Sequence, residues 1–314
     1  MIGIVIYGAA GFVASTLLNG SGLPPCALTL VDRERIDLRL LESPGIAGAP
    51  IHVIRSSSLA DSVIDEADVL LVLAGQTDVN QALANPAMAF EANMTIAIES
   101  AECGDGIRRP DSSTCHLTRF SAPRDFPWMR KRRFGPTQPY AASKAAAEMT
   151  LRCYSDSYRL DLVIIRSCNL VGGRQRARKL IPTAVQNLAA NLPVPIYGDG
   201  SHQREYLAVE DLCEVILRAV TRSLPAGIYN CTSGIALQTI EVVKIIAETL
   251  GVEPAMVKVE DRLVHDRCYA MDASKLEAHG WKPQVPPTDA IAAVAIELKS
   301  AWDDGQILTH RAGS

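Results

Sequence analysis

A tyrosine and a lysine four residues apart are well placed to move a proton. Tyr140 and Lys144 lie at the start of a strongly helical pattern, which predicts a helix over Ser143–Tyr158. A spacing of four places both side chains on one face of a helix. A neighbouring ammonium group stabilises the phenolate and lowers the pKa of the tyrosine. The pair therefore predicts a tyrosine that acts as a base near neutral pH.

A glycine-rich turn near the N-terminus is a second candidate site. An apolar run leads into Gly8-Ala-Ala-Gly11-Phe-Val-Ala14 and then into a short helical stretch. Gly8 permits a tight turn, Gly11 lets the backbone approach a pyrophosphate, and Ala14 allows the helix to pack closely on the strand. Free N–H groups and the helix dipole favour anions at this helix end. The pattern predicts a dinucleotide site.

The choice between NAD and NADP depends on the end of the next apolar run. Asp32 lies about twenty residues beyond the glycine turn, where a carboxylate accepts hydrogen bonds from the adenosine ribose and repels a 2′-phosphate. This favours NAD. Arg33 and Arg35 follow directly and keep NADP as the alternative.

The elements that position these sites follow from the alternation of short apolar runs with amphipathic stretches. This alternation predicts an α/β fold, a Rossmann-type doubly wound parallel sheet. The predicted strands are Ile2–Tyr7, Ala27–Val31, Ile51–Ile54, Val69–Leu73 and Leu162–Arg166, and a helix is predicted near Ala14–Leu18. The order of elements requires one more strand near Ile107–Ser112. Arg108–Asp111 suit a buried strand poorly, so this strand is placed by order alone.

The pattern changes after Arg166. Loops rich in Gly and Pro at Val171–Gly173 and Leu192–Gly200 separate shorter elements, and a helix is predicted over Thr239–Leu250. We therefore expect a dinucleotide-binding domain over 1–166, with returning segments at about 206–233. A smaller C-terminal α/β lobe over 167–314 would bind the substrate.

Composition narrows the class of protein. The 314 residues hold 31 Lys and Arg against 35 Asp and Glu, so the net charge of −4 disfavours nucleic acid as a partner. The eight cysteines contain no C-x-x-C pair, which disfavours a metal site and a disulfide framework and predicts reduced thiols in a cytoplasmic protein. The N-terminal apolar run lacks a signal-peptide pattern and is too short to span a bilayer.

Together these motifs resemble the extended short-chain dehydrogenases/reductases, in particular their nucleotide-sugar epimerase and dehydratase branch. The resemblance runs nearly end to end and also includes Leu73-Ala-Gly-Gln76, Pro139-Tyr140, Arg166-Ser-Cys-Asn169, Lys179-Leu-Ile-Pro182 and Gln203-Arg204-Glu205. It implies a homodimer that pairs through the helix carrying Tyr140 and its neighbour. The implied NAD-binding residues are Gly8, Gly11, Phe12, Val13, Asp32, Ser58, Leu73, Ala74, Gly75, Asn93, Tyr140, Lys144 and Cys168.

The resemblance also implies roles at the reacting sugar. Tyr140 would take the proton of the sugar C4 hydroxyl while NAD⁺ receives the C4 hydride. Lys144 would bind the nicotinamide ribose, and Thr114 would hydrogen-bond the reacting oxygen. The residues implied to bind a UDP- or dTDP-linked hexose are Gln76, Asn169, Lys179, Leu180, Pro195, Tyr197, Arg204, Arg262 and His265.

The two residues that follow Thr114 do not decide which reaction follows oxidation at C4. Dehydratases of the dTDP-glucose type carry Asp and Glu where this chain has Cys115 and His116. A thiol and an imidazole can still exchange protons at C5 and C6, which predicts elimination of water across C5–C6. The alternatives are an epimerase at C4, or at C5 through Cys115, and a nucleotide-binding regulator without catalysis. Cys115 as a packed residue and His116 as a solvent-facing one remain open.

Overall fold

Strands and helices alternate along most of the chain. The computed structural model describes residues 1–20, 22–37, 46, 48–59, 67–103, 113–119, 138–175, 178–261 and 271–304, with the backbone alone for 103 and 113–119. The strands are β1 (Ile2–Tyr7), β2 (Cys26–Asp32), β3 (Ile51–Arg55), β4 (Val69–Val72), β5 (Ser113–Arg119), β6 (Asp161–Ser167), β7 (Asn169–Val171), β8 (Val194–Tyr197), β9 (Gln203–Ala208), β10 (Gly227–Cys231), β11 (Ala236–Gln238) and β12 (Met256–Val259). The helices are α1 (Phe12–Asn19), α2 (Val79–Ala84), α3 (Pro86–Cys103), α4 (Pro139–Tyr158), α5 (Leu180–Ala189), α6 (Val209–Val220), α7 (Thr239–Leu250), α8 (Ser274–Ala278) and α9 (Pro287–Asp303).

A parallel sheet forms the larger part of the described structure. Its strands run in the order β10-β6-β5-β4-β1-β2-β3 and every pairing is parallel. Side chains of β1 alternate between two buried clusters: Ile4 and Ile6 belong to one, Val5 and Tyr7 to the other. The strand is apolar on both faces because helices cover both. The predicted Rossmann-type sheet is confirmed.

Helices pack in pairs on the two faces. On one face α1 lies beside α6, and on the other α3 runs along α4. The chain continues past β6 through a second set of elements and then returns to the sheet with β10, which pairs with β6 from Gly227 opposite Val163 to Cys231 opposite Ser167. One edge of the main sheet is therefore formed by β10, which comes late in the chain, and the other by β3.

The remaining elements form smaller sheets and a helical layer. One sheet has the order β11-β9-β7, and β12 pairs with β8 in parallel. Helices α5, α7 and α9 pack against one another. Their shared core includes Val185, Leu188, Val243, Ile246 and Ile291. Of the helices in the described ranges, none is long and apolar enough to cross a lipid bilayer.

The fifth strand differs from its prediction. It is Ser113–Arg119, paired with β4 on one side and β6 on the other, and not Ile107–Ser112. Residues 107–112, like the basic run at 130–133, lie outside the described residues. Pro110 has no N–H to donate between two neighbouring strands. Ser113–Arg119 is better suited to a central strand than Ile107–Ser112, because it contains no proline and is richer in β-branched residues.

Candidate active site

A crevice opens where the carboxyl ends of β1, β2, β4 and β6 meet. Its volume is about 680 Å³. Loops at this end of a parallel sheet are the usual place for a dinucleotide. The predicted site residues that line it are Gly8, Gly11, Phe12, Val13, Asp32, Leu73, Ala74, Gly75, Gln76, Tyr140, Lys144, Cys168 and Lys179.

The glycine turn is shaped by a backbone that lies against it. Gly8 has φ +92°, and its N–H donates to the carbonyl of Val31 at 2.9 Å. A Cβ at position 8 would lie 2.5 Å from the backbone nitrogen of Ala74. The N–H of Gly11, which caps α1, donates back to the Gly8 carbonyl at 3.0 Å. A glycine is therefore required at position 8, and the first turn of α1 faces the crevice.

Asp32 is a carboxylate fixed by backbone donors. Its Oδ2 accepts from the N–H of Ala10 at 2.9 Å and its Oδ1 from the N–H of Glu34 at 2.9 Å. The side chain of the neighbouring Arg33 is exposed and lies 3.6 Å from the Glu34 carboxylate. A rigid negative charge beside the glycine turn fits a ribose with free hydroxyls better than one with a 2′-phosphate. The cradle at Gly8 and this carboxylate together fit NAD.

The proposed proton-transfer pair lies on the buried face of α4. Pro139 occupies the first turn of the helix, where its missing N–H is not needed. Tyr140 is 3% exposed and Lys144 is 7% exposed, and both line the crevice. Burial lowers the pKa of Lys144 to about 8. The lysine therefore changes charge within the pH range in which enzymes commonly work.

A chain of hydrogen bonds connects the exit of β4 with the first turn of α4. The Gln76 N–H donates to Asn93 Oδ1 at 3.0 Å, and Asn93 Nδ2 donates to Ser143 Oγ at 2.9 Å. Ser143 Oγ in turn donates to the Tyr140 carbonyl at 2.8 Å. Asn93 is 2% exposed and does not belong to the crevice lining. It lies behind the wall, where it holds the pair in place.

A partly buried ion pair fixes the same helix to β6. Arg166 Nε donates to Glu148 Oε2 at 2.9 Å and Nη2 to Oε1 at 2.5 Å. Glu148 lies on the helix face of Tyr140 and Lys144, and it is 1% exposed. Ser167 and Cys168, which follow Arg166, line the crevice. The sequence analysis missed this pair, although an acid four residues after the lysine could have indicated it.

The triplet Thr114-Cys115-His116 lies within β5. Its backbone pairs with Leu70–Val72 of β4 and with Leu162–Ile164 of β6. The crevice lining begins at Leu73 beyond β4 and at Ser167 on β6, three and five residues past the partners of Thr114. The roles assigned to the three side chains stay predictions.

The predicted substrate residues are distributed over several elements. Lys179 lines the crevice, and its Nζ donates across it to the Thr77 carbonyl at 3.1 Å. Arg204 Nη1 donates to the Gln203 carbonyl at 2.7 Å. Of the predicted residues whose side chains are described, those outside the crevice lining are Ser58, Asn93, Asn169, Leu180, Pro195, Tyr197 and Arg204. Arg262 and His265 lie outside the described residues.

Part of the crevice wall was missed by the sequence analysis. Helices α2 and α3 were not predicted, although Asp78 caps α2 by accepting from two backbone N–H groups. Tyr7 also lines the crevice, and its hydroxyl donates to the Ser57 carbonyl at 2.5 Å. Burial, with smaller effects from Glu99 and Asp32, raises the pKa of Tyr7 to about 12. The missed lining residues of these helices are Gln81, Met88, Glu91, Ala92, Thr95 and Ile96.

Comparison with known proteins agrees with this geometry. Residues 4–232 match the NAD dependent epimerase/dehydratase family. The low-salt glycan biosynthesis protein Agl12 of Haloferax volcanii is 34% identical, over 92% of this chain and 96% of that protein. The dTDP-glucose 4,6-dehydratase of Streptomyces griseus is 29% identical, over 96% of each chain.

Solved structures show the same arrangement. DesIV, a dTDP-glucose 4,6-dehydratase of Streptomyces venezuelae crystallised with NAD, superposes with a TM-score of 0.85 at 26% identity, over 95% of this chain and 97% of that one. The UDP-glucose 4-epimerase of Thermus thermophilus shares the fold, with a TM-score of 0.81 at 23% identity, over 96% of this chain and 100% of that one. The chain therefore belongs to the NAD-dependent epimerase/dehydratase family, which confirms the predicted family and its cofactor.

Proposed function

We propose that this protein is a nucleotide-sugar dehydratase, which oxidises the sugar at C4, eliminates water across C5–C6 and returns the hydride within the same site. The observation that carries the proposal is the convergence of Tyr140 and Lys144 with the glycine turn in one crevice. The similarity to dTDP-glucose 4,6-dehydratases over nearly the whole chain supports the choice of reaction. A UDP- or dTDP-linked hexose is the proposed substrate.

The first step requires a base beside the coenzyme. NAD⁺, when bound, supplies the acceptor for the hydrogen removed from C4. Tyr140 takes the proton of the C4 hydroxyl, and Thr114 hydrogen-bonds the same oxygen. The Lys144 ammonium stabilises the phenolate and binds the nicotinamide ribose. Tyr140 and Lys144 lie on the same buried face of α4, one helical turn apart.

The second step requires proton exchange at C5 and C6. A ketone at C4 makes the neighbouring C5–H acidic, and Cys115 and His116 are the proposed groups that move protons there. Asn169 and Arg204 would hold the diphosphate by charge-assisted hydrogen bonds, with Lys179 at the nucleotide base. Leu180, Pro195 and Tyr197 would flank that base. The proposed domains are 1–166 with about 206–233 for NAD, and 167–314 for the substrate.

Product mass distinguishes the proposal from its alternative. The purified protein is incubated with NAD and with UDP- or dTDP-glucose in D₂O, and the products are analysed by mass spectrometry and NMR. A product lighter by one water supports the dehydratase, and Tyr140→Phe should abolish it. The alternative is an epimerase, favoured by Cys115 and His116 in place of an acidic pair. It predicts an isomer of unchanged chemical formula, with deuterium at C5 only for a C5 epimerase.

We further propose a homodimer formed through α3 and α4. Phe90 on α3 is 37% exposed, and on α4 Met149 is 59% and Tyr158 48% exposed. Apolar side chains on two adjacent helices support burial against a second copy. Light scattering should give twice the chain mass, and Met149→Glu should shift it toward the monomer.

The five described free cysteines support the proposal of a reducing, cytoplasmic compartment.

A further inference from the structure

The ammonium group of Lys144 occupies the space that a side chain at position 75 would fill. Gly75 lies just past β4 with φ +156°, and a Cβ built on it overlaps Lys144 Nζ. The same Cβ would lie 3.2 Å from Asn93 Oδ1. Lys144 therefore turns from α4 toward the backbone beyond β4, so that its charged end lies against the crevice wall.

This position is polar but largely shielded from water. The wall there is rigid because Asn93 Oδ1 accepts from the Gln76 N–H and Asn93 Nδ2 donates to Ser143. The titratable and charged side chains that line the crevice together with Lys144 are Tyr7, Asp32, Arg33, Glu34, Glu91, Tyr140, Cys168 and Lys179. Burial lowers the pKa of Lys144. The depth of the ammonium group therefore controls its protonation.

We propose that Gly75 is a positioning residue for Lys144, because its missing side chain leaves room for the ammonium group to lie against the crevice wall at the end of β4. Its effect on Lys144 is independent of the reaction that the enzyme performs. Its effect on catalysis rests on the proposed function, in which a charged Lys144 stabilises the Tyr140 phenolate.

Gly75→Ala should push the ammonium group into the crevice. An alanine at φ +156° also strains the backbone, as the alanine at φ +149° in the control variant Gly227→Ala does. At position 75 the new Cβ meets the flexible end of Lys144, so Nζ has to shift. A more solvated ammonium group keeps its proton to higher pH. The midpoint of Lys144 titration should rise by about one pH unit or more in this variant.

Competitive acetylation measures this midpoint without any substrate. The protein is treated with a trace of labelled acetic anhydride across a pH series, and peptide mass spectrometry reports the reactivity of Lys144. Gly227→Ala is the matched control: Gly227 has φ +149°, and its Cβ would meet another ammonium nitrogen, Lys275 Nζ, at 2.7 Å. Gly227 lies outside the crevice lining. This control should leave the Lys144 midpoint unchanged.

The outcomes separate the two proposals. A Lys144 midpoint near pH 8 in the wild type that rises in Gly75→Ala and not in Gly227→Ala supports the inference. An unchanged midpoint in Gly75→Ala overturns it. A wild-type midpoint at the ordinary lysine value of about 10.4 overturns it even if the variant does not fold. If the midpoint rises but the alkaline limit of catalysis stays in place, the positioning role stands and the catalytic role of Lys144 fails.

Discussion

The cofactor half and the substrate half of the site are built in different ways. In the cofactor half, Gly8 has a positive φ and the Asp32 carboxylate is fixed by two backbone N–H groups. The shape of this surface therefore depends on local chain geometry. In the proposed substrate half, side chains come from β5, β7, β9 and the start of α5, elements far apart in sequence. The coenzyme can therefore be recognised from a short motif, whereas the sugar depends on how distant elements assemble.

Tyr140→Phe tests the point where the two halves meet and should have the largest effect. Removing the hydroxyl eliminates the proposed base, which typically contributes about 10²–10⁴-fold to the rate. Single-turnover kinetics should show that loss. NAD affinity measured by calorimetry should change little, because the glycine turn is intact. Unchanged turnover would contradict the assignment of the base.

Gly8→Val tests the cofactor half. The Cβ would meet the Ala74 backbone, which cannot move aside as a flexible side chain can. Backbone strain of about 1–3 kcal/mol should weaken NAD binding about fivefold to 150-fold. Gly234→Val is the control, since Gly234 has φ +72° and open space around its Cβ position. Equal NAD affinities in the two variants would refute the close-packed cradle.

Lys179→Met tests the substrate half. Loss of a charge-assisted hydrogen bond of about 1.5–3 kcal/mol should raise KM for the nucleotide-sugar roughly tenfold to a hundredfold. The dissociation constant for NAD should stay within about twofold. Lys179→Arg keeps the charge and should recover part of the affinity. An effect on NAD alone would place Lys179 in the other half.

The smallest expected effect is on the pH profile of the reaction, which tests the charge of Lys144. The lowered pKa of Lys144, about 8, means that its ammonium group is charged below that pH and neutral above it. The maximal rate should therefore fall above about pH 8, approaching tenfold per pH unit. Stopped-flow measurement of C4 oxidation checks this, with circular dichroism as the control for folding. A flat profile to pH 10 would contradict the role of the charge.

Sequence reasoning succeeded where local geometry decides the structure. Ile2–Tyr7 is predicted to the residue, because an apolar run ending in a glycine turn has one good solution in a parallel sheet. Val194–Tyr197 lies within Leu192–Gly200, which was predicted as a loop because of its prolines and glycines. It is a strand paired on one side with β12, and Pro195 is tolerated where a pairing N–H is not required.

Prediction failed where distant contacts decide. The helix Pro86–Cys103 is rich in Ala, Glu and Met, but it was not predicted. Apolar residues lie on its crevice side as well as on its buried side, which blurs the apolar period. The contact of Asn93 with NAD stays a prediction. Its place behind the crevice wall could not be predicted, since its partner Ser143 is fifty residues away. Only the packing of α3 on α4 brings these two residues together.

The late strand β10 has a consequence for how the protein is made. The main sheet gains its outer strand only after the smaller sheets' first strands have been synthesised, because β10 follows β7, β8 and β9 in the chain. During synthesis the nucleotide-binding part therefore emerges from the ribosome while one side of β6 still has no neighbouring strand. Such an exposed edge can pair with other chains until the downstream segment arrives. Slow or truncated translation should thus favour aggregation of the nascent chain.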